Sequence, residues 1–162
     1  MKLKILNDNL LVNFNFDKNL ELYNSFFKSE NFYTKFNGKI DFDPFFNFEL
    51  FTDIEKINIE NKKFKKLYNL IIEEILKNKL NGELFINYSK KKAILNKKIN
   101  SKIKVKFKNG NIFSDVIDLQ FDDFSIKMNL NVKKYSSYRN LNYKIMIKTK
   151  NINQFYKNIG LK

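Results

Sequence analysis

Ile103-Lys104-Val105-Lys106-Phe107-Lys108-Asn109-Gly110-Asn111-Ile112 is the stretch on which the fold turns. An apolar residue at every second position, with lysine between, has the period of a strand with one apolar and one solvated face. Asn109-Gly110 then supplies two residues that accept positive φ, which a tight two-residue hairpin turn demands. The turn sets Phe107 opposite Ile112 and Val105 opposite Ser114. Further on, Ile117, Leu119 and Phe121 alternate in the other phase, so the spacing predicts a bulge near Ser114. Asp122-Asp123 is a second two-residue turn. It sets Phe121 opposite Phe124 and Leu119 opposite Ile126, and the return strand carries Phe124, Ile126, Met128, Leu130 and Val132.

The same alternation extends both ways. Leu141, Tyr143, Ile145 and Ile147 form a last strand, and Ile152, Phe155, Tyr156 and Ile159 a short closing helix ended at Gly160. Upstream, strands are expected at Leu80, Gly82, Leu84, Ile86 and Tyr88, at Phe36, Gly38, Ile40 and Phe42, and at Leu10, Val12, Phe14 and Phe16. Pro44 ends a strand or kinks it before Phe46, Phe48 and Leu50 resume. A short strand precedes Asn7-Asp8-Asn9. Over 61–78 the period changes: Phe64, Leu67, Tyr68, Ile71, Ile72, Ile75 and Leu76 follow helical spacing, with Asn61 as N-cap. The expected fold is mainly β, a curled antiparallel sheet (a β-groove) of about eight strands with one amphipathic helix near 61–78, in a single domain over 1–162.

Composition narrows the chemistry. The chain of 162 residues has no Cys and no His, so it lacks thiolate nucleophiles, imidazole bases and the usual ligands of zinc, copper and haem. The tight carboxylate groups, Asp41 with Asp43 and Asp122 with Asp123, have no identifiable partners for acid-base or metal work. No enzyme, cofactor or metal site is expected. The formal charge is +14, yet Arg139 is the only arginine among 31 basic residues, whereas base readout and bidentate phosphate grip favour Arg. The skew to Lys, Asn, Ile and Phe is that of A- and T-rich codons. No stretch approaches the roughly 20 apolar residues that span a bilayer, and Met1 to Leu6 is too short for a signal peptide.

Eight strands at roughly 4.8 Å each give a sheet about 38 Å wide, while one helix covers about 10 to 12 Å of it. The sheet therefore either closes over a dry core or curls into a groove whose apolar inside is filled by something else. Candidate groove contacts are Phe48, Leu50, Leu84, Ile86, Val105, Phe107, Leu119, Phe121, Ile126, Met128, Ile145 and Ile147. None carries a polar group that would orient a small polar substrate, a composition suited to acyl chains.

The order of pieces resembles the AsmA-like family of bacterial envelope proteins, the group of TamB and YhdP among bridge-like lipid-transport proteins. The resemblance runs from Phe36-Asn37-Gly38-Lys39-Ile40-Asp41-Phe42-Asp43-Pro44-Phe45-Phe46 through the helical segment Phe64 to Leu76. It continues in Leu80-Asn81-Gly82-Glu83-Leu84 and in the lysine-rich strand ending at Asn109-Gly110, and covers roughly residues 30 to 162. It implies a β-groove that moves phospholipid between inner and outer membranes and supports outer-membrane integrity, with no catalytic residues. It further implies a periplasmic, inner-membrane-associated protein whose anchor lies outside this chain. The chain is then expected to be a segment continued by further β-groove repeats. The expected partners are phospholipid acyl chains and an anionic membrane surface. Nucleic acid is the less favoured partner: in that alternative, a basic RNA-binding protein such as a divergent organellar ribosomal subunit, the rows Lys102, Lys104, Lys106, Lys108 and Lys144, Lys148, Lys150 would meet the backbone. Asp115, Asp118, Asp122 and Asp123 interrupt such a track.

Overall fold

A computed structural model describes residues 2–5, 8–30, 32–57, 80–90, 99–135 and 138–158. It contains ten strands: β1 (Lys2–Ile5), β2 (Asp8–Phe16), β3 (Asn19–Lys28), β4 (Phe32–Asp41), β5 (Asn47–Ile57), β6 (Asn81–Lys90), β7 (Ile99–Lys108), β8 (Asn111–Phe121), β9 (Phe124–Lys134) and β10 (Arg139–Thr149). They lie in one sheet in sequence order, and the sheet is curled and not closed, with β1 and β10 at its edges. At about 4.8 Å per strand it is about 48 Å across, wider than the eight-strand expectation. A short helix, α1 (Ile152–Asn158), follows β10 where the closing helix was expected.

All pairings are antiparallel except β5 with β6, which run parallel. The sheet is thus two five-strand meanders, β1 to β5 and β6 to β10, joined through a parallel seam. A parallel pair requires a crossover that carries the chain back from one end of the sheet to the other. Residues 58–79, which link β5 to β6, lie outside the described residues, and with them the helix expected near 61–78.

The two hairpin turns form as their residues dictate. Asn109 and Gly110 take φ of 52° and 78°, and Phe107 pairs with Ile112. Asn81 steadies this turn, its side-chain oxygen accepting the Asn109 N–H at 2.9 Å. Across Asp122-Asp123, Leu119 pairs with Ile126, and the rings of Phe121 and Phe124 stack at 4.2 Å. Phe155 of α1 closes this corner edge-on to Phe124 at 5.1 Å. Asn151 caps α1, its side chain accepting the Gln154 N–H at 3.0 Å.

Bulges keep the apolar phase constant where the sequence slips. In β8, Ser114 and Asp115 oppose the single residue Val105 of β7, and Asp115 and Val116 oppose the single residue Asn129 of β9, so the bulge sits where the spacing demanded it. In β3 the extra residue is Asn24, at φ 46°. Asn24 is held on both sides: its N–H donates to the Asn37 side chain at 2.7 Å, and its carbonyl accepts from the Asn13 side chain at 3.0 Å. A third bulge lies in β5 near Glu55. β3 itself escaped the alternation reading, because this bulge puts Leu20 and Leu22 out of phase with Ser25 and Phe27.

Candidate functional site

The register places all twelve expected groove residues on one face. Phe48 pairs with Gly82 and Leu50 with Leu84. Leu84 pairs with Val105, Ile86 with Ile103, and Gly82 with Phe107. Leu119 pairs with Ile126, Met128 with Ile145, and Ile126 with Ile147. Directly opposed residues share a face, so the list forms one continuous surface from β5 to β10. Lys104, Lys106 and Lys127 occupy the other face.

The surface also extends into the first meander, which the candidate list omits. Ile40 pairs with Phe48 and Gly38 with Leu50. Leu20 pairs with Ile40 and Leu22 with Gly38, and Phe16 pairs with Leu20. An aromatic chain runs along one end of the strands: Phe16 to Phe42 at 6.3 Å, Phe42 to Phe46 at 6.0 Å, Phe46 to Phe48 at 6.3 Å and Phe48 to Phe107 at 5.8 Å. The alternating Leu20 and Leu22, and the Phe-rich 42–46 segment, were the available signals.

Two glycines leave room on this floor for neighbouring atoms of β5. A methyl group on Gly82 would collide with the carbonyl oxygen and ring of Phe48, and one on Gly38 with the Glu49 carbonyl and the Leu50 side chain. Both glycines flank β5, so Phe48 and Leu50 lean over positions without side chains.

The apolar face is covered only in part. Among the described large apolar residues, only Phe48, Ile99, Phe107, Phe124 and Phe155 are buried. Leu50, Leu84, Ile86, Val105, Leu119, Phe121, Ile126 and Met128 are half-buried. On β10, Ile145 and Ile147 are each 46 % exposed and Tyr143 is 64 % exposed. Two depressions in the described surface, one beside Phe48 and Phe107 and one beside Phe121 and Phe124, are open to solvent.

Four of the hydroxyls on this face point back into the sheet. Ser25 Oγ donates to the carbonyls of Tyr23 and Asn13 at 3.2 and 3.3 Å. Thr34 Oγ1 donates to Asp53 at 3.1 Å and Thr52 Oγ1 to Phe85 at 3.0 Å. Ser114 Oγ donates to the Lys104 carbonyl. Ser25 and Ser114, each beside a bulge, are buried at 0 % and 1 % exposure. These groups are satisfied by backbone, so what they turn toward the open side is carbon. Tyr88 shares the face, and burial there raises its phenol above the ordinary value.

The outer face is a field of ion pairs. Glu83 accepts from Lys104 at 2.8 Å and Lys106 at 3.0 Å, and these hydrogen bonds hold its carboxyl below the usual range. Lys35 meets Glu55 at 2.6 Å, which raises the lysine. Lys39 meets Asp41 at 3.0 Å and Lys127 meets Asp118 at 3.8 Å. The lysine row of β7 is therefore partly neutralised by its own sheet, which weakens it as a phosphate track. Among the described residues, no group of three or more acidic side chains could hold a metal ion. None of the described helices is long and apolar enough to cross a membrane. No protein-family model, curated protein or solved structure matches this chain.

Proposed function

We propose that the chain is a non-enzymatic lipid-binding β-groove that holds phospholipid acyl chains along its apolar face. The observation that carries the reading is a face of Phe, Leu, Ile, Val and Met continuous across the sheet, with few members buried and the hydroxyls of Ser25, Thr34, Thr52 and Ser114 satisfied by backbone. An exposed apolar surface of that extent calls for an apolar occupant, and a lining made mostly of hydrocarbon selects chains of carbon over polar ligands. Contact along the face would come from Phe48, Leu50, Leu84, Ile86, Val105, Phe107, Leu119, Phe121, Ile126, Met128, Ile145 and Ile147. In the setting that the AsmA-like pattern implies, the groove works in the periplasm, associated with the inner membrane. There it is one segment of a longer path for phospholipid toward the outer membrane.

The test is lipid extraction and native mass spectrometry of the protein purified from a bacterial envelope. Bound phospholipid in stoichiometric amount is the expected result. Protein free of phospholipid, with an apolar face that also fails to take up fluorescent fatty acid, would refute the groove.

A further inference from the structure

Charge is unevenly spread along the chain. Residues 124–162 contain nine Lys or Arg and no Asp or Glu, which is nine of the fourteen net positive charges. Eight of the nine lie on or between β9, β10 and α1, so this excess lies at one edge of the sheet. On the outer face Lys35, Lys39, Lys104, Lys106 and Lys127 find carboxylates; Lys144 and Lys148 of β10 have none on their own strand or on β9. β10 also has an open apolar side: Leu141, Tyr143, Ile145 and Ile147 are all exposed, as are Met146 and, in α1, Ile152 and Tyr156.

We infer that the β10 edge docks on an anionic lipid bilayer, entering the headgroup layer edge-on. Lys144 and Lys148 lie on one face of the strand, where they reach phosphate. Leu141, Tyr143, Ile145 and Ile147 lie on the other, where they meet the upper acyl chains. The free backbone N–H and C=O groups of the edge stay among hydrated headgroups, since they could not be left bare in hydrocarbon. Nucleic acid fits the cations but has no use for a row of exposed aliphatic side chains beside them. The pairing of Ile147 with Ile126 and of Ile145 with Met128 makes this edge continuous with the groove floor. An acyl chain leaving the bilayer here meets the apolar face directly. Where the lipid then goes rests on the groove reading; the docking does not.

The experiment is co-sedimentation with phosphatidylcholine vesicles containing about one part in three of phosphatidylglycerol, at physiological salt, where each cation near such a surface is worth roughly fivefold in binding. Lys144→Glu with Lys148→Glu should weaken binding by about 25-fold or more. Lys18→Glu with Lys28→Glu, an equal change of net charge far across the sheet on β3 and its turn, should leave it within about twofold because screening confines the effect. The chain has no Trp, so Tyr143→Trp makes a single reporter, and its fluorescence should be quenched by phosphatidylcholine brominated in the acyl chain. Equal losses in the two charge pairs, or an unquenched reporter on bound protein, would overturn the docking. So would displacement from vesicles by single-stranded RNA that itself depends on Lys144 and Lys148. Phospholipid capture without vesicle binding sinks only the docking edge; vesicle binding without captured lipid sinks only the groove.

Discussion

The rings of Phe51 and Phe85 stack face to face on the outer side of the parallel β5/β6 seam, their centroids 4.6 Å apart and their planes within 9°. They are one rung of a ladder of identical neighbours: Asn47 beside Asn81, Glu49 beside Glu83, Leu50 beside Leu84. Two segments reading Asn-x-Glu-Leu-Phe lie side by side in register, as identical side chains do in stacked parallel strands. The two meanders are joined by this match. It also sets Glu83 beside Glu49, a like-charge contact that Lys104 and Lys106 offset from the other side. Lys104 additionally lies 4.7 Å over the Phe85 ring.

If the stack helps to fix the seam, Phe51 and Phe85 should be coupled. A double-mutant cycle with Phe51→Ala and Phe85→Ala, read by urea unfolding, should show an interaction of about 0.5–1.5 kcal/mol. Strictly additive losses would mean that the rings are merely adjacent.

Gly82 should be intolerant of even a methyl group. It has φ 155°, and a Cβ there meets both the backbone and the ring of Phe48, so Gly82→Ala should cost about 2 kcal/mol or more. Gly110→Ala, at φ 78° in an open turn, should cost about 1 kcal/mol. Phe48→Ala in the Gly82→Ala background should restore only part of the loss, because the Phe48 carbonyl remains. Thermal melts of the three variants test the order, and equal losses at 82 and 110 would show that the contact with β5 is unimportant.

Much of this was legible in alternation. The second meander, from Gly82 to Ile147, shows a clean period of two, and the slip between Ile112 and Ile117 announced its own bulge. The first meander was harder because the Asn24 bulge breaks β3 just where Leu20 and Leu22 begin a pattern, and Ser25 and Thr34 stand where apolar residues were sought. A polar residue that donates to its own sheet is indistinguishable in sequence from one that faces water. The parallel seam was also hidden: the Asn-x-Glu-Leu-Phe match is short, and strand direction depends on the crossover, which alternation does not report. The candidate site suffered the same limit, stopping at Phe48 although Ile40, Leu20 and Phe16 continue its surface.

Glu83 should give the protein an acid-sensitive increment of stability. Its carboxyl lies below the ordinary value because Lys104 and Lys106 donate to the ionised form. A depressed folded value means that the contribution is complete above the unfolded pKa, about 4.3, and is lost as pH falls through the folded value. The pair is partly solvated, so the effect is modest. Glu83→Gln should melt below the parent at pH 7, and the gap should close near pH 2, where the parent side chain is protonated. A gap of unchanged size at both pH values would remove the ion pairs as its cause.

A charge placed in mid-groove should abolish lipid capture while the same face-wide change outside it should not. Ile126 is half-buried between Leu119 on β8 and Ile147 on β10, and Phe121 lies beside it against Phe124. Ile126→Lys or Phe121→Asp would set an ion among acyl chains, at a cost of several kcal/mol unless it finds a partner or loses its charge. Ile126→Gln, polar but neutral, should reduce capture less. On the opposite face, Lys106→Gln removes one of the two cations on Glu83 and should change capture little, beyond a modest salt-dependent loss with anionic lipid. Each variant is first checked for a β-type circular dichroism spectrum and a cooperative melt, then assayed by lipid extraction and fluorescent fatty-acid uptake. Folded Ile126→Lys that still carries phospholipid at the parent level would mean that the apolar face is not where lipid sits.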